Sequence, residues 1–131
     1  MNKKAVVGFY INENKQIAVV TRKDGRISLP GGKVEENETL LDALLRECEE
    51  EGWKIISLRV DPIYIKTDET GYETHWFYIH KIERLEEYKD KSRNLFPFVT
   101  DIDTLIRCSP GFNNDFLVRF IDDLFSGTIQ R

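Results

Sequence analysis

LPGGKVEENETLLDALLRECEEEGW, residues Leu29 to Trp53, is the stretch on which the fold turns. Between Glu35 and Glu51 it holds eight acids and one base, Arg46. From Thr39 to Glu51 the apolar residues Leu40, Leu41, Leu44, Leu45 and Cys48 recur at helical spacing, and Gly52 stands at the position that closes such a helix. Like charges three or four apart on a helix repel by roughly 0.2–0.5 kcal/mol per pair, so this row costs stability unless something offsets it. Glu47, Glu50 and Glu51 fall within an arc of about 100° that borders the stripe of Leu40, Leu44 and Cys48. Three carboxylates at the edge of a core suit a hard divalent cation such as Mg²⁺ or Mn²⁺. The competing reading of a bare EEE run is a solvated acidic face. Glu49 points outward, and Asp42 and Arg46, four apart, are spaced for an exposed ion pair.

Working outward, AVVGFYIN (5–12) and QIAVVTR (16–22) read as two strands joined by a short polar turn. Lys23-Asp24-Gly25 supplies the next turn, and ISLPGG leads into an irregular connection before the helix. Strands follow at 53–60, 62–66 and 72–82, then a polar stretch, 85–94, expected to be a mobile loop. A short strand at 96–100 precedes a helical DIDTLIRC with Asp101 as its cap, and a last helix spans 114–125. This order predicts an α+β domain in which a mixed sheet is flanked by helices.

The chain has 131 residues, 40% of them hydrophobic, which is one domain with enough apolar side chains for a core. Net charge is −4, which argues against a nucleic-acid backbone or an anionic membrane as partner. The apolar run 5–11 is too short and interrupted for a signal or spanning segment. Cys48 and Cys108 belong to no CxxC or Cys/His cluster, so free thiols in a reducing cytoplasm are expected.

Gly32, Glu38, Arg46, Glu47, Glu50 and Glu51 stand at the offsets of the signature GX5EX7REUXEEXGU, and LPGG precedes them. The chain therefore resembles the Nudix hydrolases, the MutT-like family, and its first 22 residues resemble a MutT-type opening hairpin. Two departures stand out. Gly52 follows Glu51 directly, one residue early, and Cys48 occupies an aliphatic position, where it reads as packing. If the missing residue only shortens the last turn, the three acids keep their geometry; if Glu49-Glu50 are the pair, the ligand set rotates. The first alignment keeps the REUXEE spacing whole.

The resemblance implies an α/β/α sandwich and metal-dependent cleavage of a nucleoside diphosphate linked to some group X. It assigns Arg46, Glu47, Glu50 and Glu51 to catalysis, with Glu47, Glu50, Glu51 and the Gly31 carbonyl toward Mg²⁺ or Mn²⁺. Arg46 would steer a carboxylate, while Gly32, Glu38 and Gly52 hold the loop and helix together. A proton acceptor is sought in the helix acids or among Glu86, Glu87 and Asp90, each of which could equally be a plain surface charge. Arg22, Lys23 and Lys33 are either phosphate contacts or surface cations; Asn113 and Asn114 either reach a base or cap the last helix. Tyr72, Trp76 and Tyr78 share a strand face and either stack on a base or pack in the core, the latter for at least two. His75 and His80 lie on opposite faces and form no ligand pair. The expected substrate is a small nucleotide, foremost a (d)NTP cleaved to NMP and pyrophosphate, with the chain a monomer or homodimer. The alternatives are a nucleotide-sugar, ADP-ribose or dinucleoside-polyphosphate hydrolase, or a nucleotide-binding module without turnover.

Overall fold

The computed structural model describes residues 3–109 and 114–127. Its larger sheet has five strands. β4 (Gly31–Lys33), β1 (Lys4–Phe9), β7 (Glu73–Arg84) and β5 (Trp53–Leu58) lie side by side, and β6 (Tyr64–Thr67) pairs with the first half of β7. β1 and β7 run parallel, Lys4 opposite Glu73 and Phe9 opposite Tyr78, whereas the other pairings are antiparallel. A second sheet orders β3 (Ile27–Ser28), β2 (Ile17–Thr21) and β8 (Pro97–Thr100). The helices are α1 (Leu40–Glu50), α2 (Ile102–Cys108) and α3 (Asn114–Phe125). The expected α+β architecture with a mixed sheet is thus borne out. No described helix is long and apolar enough to cross a membrane.

Two cores lie on opposite faces of the larger sheet. Ala43, Leu44 and Cys48 of α1 pack with Val6, Phe77 and Trp53 on one face. On the other, Leu117, Phe120, Ile121 and Leu124 of α3 pack with Phe9, Trp76 and Tyr78. β2 serves both: Ile17 and Val19 join the α3 core, Ala18 and Val20 the α1 core. Truncating a fully buried side chain such as Leu44 or Leu117 to alanine costs about 2–5 kcal/mol. The buried Trp53 indole locks the two sheets together by donating Nε1–H to the Val19 carbonyl at 3.0 Å.

Several local expectations change. The opening hairpin survives only at its turn, where Asn12 N–H donates to the Gln16 carbonyl at 2.9 Å and Ala18 N–H to Tyr10 at 3.1 Å. Beyond that, β1 and β2 enter different sheets, because four consecutive buried residues in β2 need cover on both faces. The connection ISLPGG contains two short strands, β3 on β2 and β4 on β1, which a glycine-rich sequence gives no pattern for. The stretch 85–94 contains a 3₁₀ helix, Lys89–Arg93, closed by Asn94 at φ 58° and anchored by buried Leu95. Leu45 leaves the apolar stripe and is exposed. Trp76 and Tyr78 are core residues, as expected for two of the three aromatics.

Candidate active site

β4 and the last two turns of α1 face each other, and Gly32 permits their approach. A Cβ at Gly32 would collide with the Glu47 carboxylate. Thr39 starts the helix by accepting the Asp42 N–H at 3.1 Å. The helix then runs unbroken to Glu50 and closes on Glu51, whose N–H bonds the Glu47 and Cys48 carbonyls. Gly52 follows at φ 101°, pressed against Pro97, a backbone position that a side chain would strain. Arg46, Glu47 and Glu50 thus share one continuous helix, with Glu51 as its cap.

Arg46 organises the acids. Its Nε donates to Glu38 Oε2 at 2.6 Å and one terminal nitrogen to Glu38 Oε1 at 3.0 Å, a two-point clasp. The other terminal nitrogen reaches Glu47 Oε1 at 2.9 Å and Glu50 Oε2 at 3.2 Å. A further bond goes to the Lys33 carbonyl at 3.2 Å, so the guanidinium ties α1 to β4. The clasp holds the Glu38 carboxyl below its ordinary range and pushes the arginine's own upward. Asp42, the partner expected for Arg46, is not among its ion pairs, because the guanidinium turns to the β4 side of the helix.

Glu51 is the deepest acid, 2% exposed. Its Oε1 accepts the Gly31 N–H at 2.8 Å, and its Oε2 lies 3.3 Å from a terminal nitrogen of Arg22. Burial pushes its carboxyl up to about 7 against these two favourable contacts, and the charges of Glu47 and Asp90 push the same way. Glu47 is raised too, chiefly by burial and further by Glu50 and Asp90. Asp90 thus shares this electrostatic neighbourhood from the 3₁₀ segment, where it is buried and 3.8 Å from Arg93. Next to it, Lys89 reaches Glu50 Oε1 at 3.3 Å.

The remaining candidates divide. Arg22 comes to the acids, its Nε donating to the Ser28 hydroxyl at 2.8 Å. Lys23 stands exposed in the β2–β3 turn. Lys33 sends its ammonium over the Tyr72 ring at 5.2 Å, and Lys3 lies 5.8 Å from the same ring. Glu86 and Glu87 are exposed, and Glu87 pairs with Lys91 at 3.0 Å. Asn113 lies outside the described residues, as does the side chain of Asn114, which begins α3. His75 is buried against Glu73 while His80 is exposed. Ser28 and Lys89 were not singled out in the sequence, where a serine before LPGG and a lysine in a charged run carry no distinguishing pattern.

Among the described residues, no three His, Cys, Asp or Glu side chains converge as a ready cation cage. The carboxylates of Glu47, Glu50 and Glu51 are instead paired with Arg46, Lys89 and Arg22.

Comparison with known proteins now places the chain. The NUDIX domain model matches residues 1–99, so the chain belongs to the NUDIX family, and its class is that of the Nudix pyrophosphohydrolases. No curated protein matches it significantly in sequence. A structure from work on MutT of Aliivibrio salmonicida and Vibrio cholerae is similar at TM-score 0.70 and 20% identity, over 92% of this chain and 97% of that one. An ADP compounds hydrolase is similar at TM-score 0.71 and 15% identity, over 98% and 75%. An ADP-ribose pyrophosphatase from Streptococcus suis follows at TM-score 0.60 and 17% identity, over 79% and 76%. At these identities the likeness is one of fold.

Proposed function

We propose that this chain hydrolyses a nucleoside diphosphate linked to a group X, with a (d)NTP cleaved to NMP and pyrophosphate as the best reading. The observation that carries it is the clasp of Arg46, which fixes Glu47 and Glu50 on one side of a helix whose last acid, Glu51, is buried. For a structural face alone, burying a carboxylate beside two others is a cost without return. The choice of a (d)NTP is supported by the MutT-type structure, the match covering 92% of this chain and 97% of that one.

Glu47, Glu50, Glu51 and Asp90 offer hard oxygens in one neighbourhood, where burial first and neighbouring acids second raise the Glu47 and Glu51 carboxyls, which fits a divalent cation. Those residues would hold Mg²⁺ or Mn²⁺, with the Gly31 carbonyl as a further donor. Bound there, the cation supplies activation of water and neutralisation of phosphate charge. Arg46 bonds both Glu47 and Glu50 and offsets part of their mutual repulsion. Glu51, fixed by the Gly31 N–H and Arg22, is the acid we assign as proton acceptor. Arg22, oriented by Ser28, is the cation best set to meet a phosphate oxygen.

The test is a hydrolysis panel of (d)NTPs, ADP-ribose, nucleotide sugars and dinucleoside polyphosphates with Mg²⁺ or Mn²⁺, with products identified. NMP and pyrophosphate from a (d)NTP support the reading. Preference for ADP-ribose or a nucleotide sugar moves the substrate while keeping the chemistry. A folded protein silent on every member refutes both.

A further inference from the structure

Glu47, Glu50 and Glu51 are met by three cations among the described residues, and these are not equivalent. Arg46 makes five hydrogen bonds to three acids and a carbonyl, and its side chain is 28% exposed. Arg22 is braced by Ser28 and is 38% exposed. Among the described residues the Lys89 ammonium meets one partner, Glu50 Oε1 at 3.3 Å, and its side chain is 74% exposed. Its ammonium sits on the carboxylate oxygen that Arg46 leaves open, since Arg46 takes Oε2.

We propose that Lys89 is an exchangeable counter-ion for Glu50, displaced when a divalent cation binds the α1 acids. This rests on the reading of those acids as cation ligands. Without metal, the ammonium offsets the repulsion among Glu47, Glu50 and Asp90. An incoming cation competes for the same Glu50 oxygen and repels the ammonium, and an exposed lysine pair is weak enough to yield. Only the side chain must turn: the backbone of the 3₁₀ segment is fixed by Asn94 and Leu95, which also keeps Asp90 facing inward. A compact ammonium on a flexible stem suits such an exchange, whereas the forked Arg46 does not.

The test measures Mn²⁺ affinity of the metal-free protein by electron paramagnetic resonance for wild type, Lys89→Gln and a control, Lys91→Gln, whose lysine pairs with exposed Glu87 instead. Lys89→Gln should bind Mn²⁺ roughly two- to fivefold tighter, the worth of one exposed ion pair. Molar KCl should shrink the gain by screening the pair, and Lys91→Gln should match wild type. The metal-free melting temperature should fall by no more than about 4 °C, the loss of one exposed pair; a larger fall would mark a structural role and overturn the exchange. Equal or weaker binding by Lys89→Gln overturns the exchange. Absent Mn²⁺ binding in wild type, or undiminished binding by Glu50→Gln, overturns the ligand assignment beneath it.

Discussion

Replacing Glu51 by glutamine isolates the electrostatic cost of the buried carboxylate. Its folded pKa stands near 7 against an ordinary 4.5. A carboxyl raised in this way contributes stability that is fully present below 4.5 and is lost as pH climbs through 7. At roughly 1.4 kcal/mol per pH unit, the loss by pH 8 is about 3 kcal/mol in the metal-free protein. Glutamine keeps an oxygen for the Gly31 N–H and carries no charge, so it imitates the protonated acid at every pH. Urea denaturation in EDTA should find the two proteins alike near pH 4.5 and the variant about 3 kcal/mol more stable at pH 8. A variant no more stable than wild type at pH 8, or a wild type that gains on the variant between pH 5 and 8, would refute the burial argument.

Gly32→Ala forces the Glu47 carboxylate aside, but that carboxylate is the end of a flexible side chain. Thermal unfolding should change little while turnover falls at least about tenfold; full activity would mean that the position of Glu47 is unimportant. Arg46→Lys keeps the charge and loses the two-point clasp on Glu38. It should cost about 1–3 kcal/mol in urea denaturation and raise the Mg²⁺ concentration needed for half-maximal activity. A variant unchanged in both would remove Arg46 from its organising role.

The acidic helix was legible because its two signals coincide: an apolar stripe at helical spacing and a spaced set of Gly, Glu and Arg. Its limits differ from the sequence reading by one residue at each end, with Thr39 and Glu51 as caps. The depth of Glu51 was not legible. Its burial comes from Gly31 and Arg22, twenty and more residues away in the chain. β3 and β4 escaped because Ile27–Ser28 and Gly31–Lys33 are too short to show alternation, and only their partners make them strands. The same holds for the 3₁₀ segment, where KDKSR reads as solvated charge although tertiary packing turns Asp90 inward. Lys23 and Lys33 looked equivalent to Arg22 on charge alone. The braced guanidinium of Arg22 reaches Glu51, while Lys33 turns to Tyr72.

If the acids gathered by Arg46 perform metal-dependent hydrolysis, turnover depends on Glu47. Turnover of the best substrate should be measured against Mg²⁺ concentration for wild type and Glu47→Gln, both shown to be folded by thermal unfolding. Without a divalent cation turnover should vanish, and in the variant it should fall at least about a hundredfold, equivalent to roughly 2.7 kcal/mol of transition-state stabilisation. Turnover undiminished in Glu47→Gln, or independent of any divalent cation, would contradict that role for the acids.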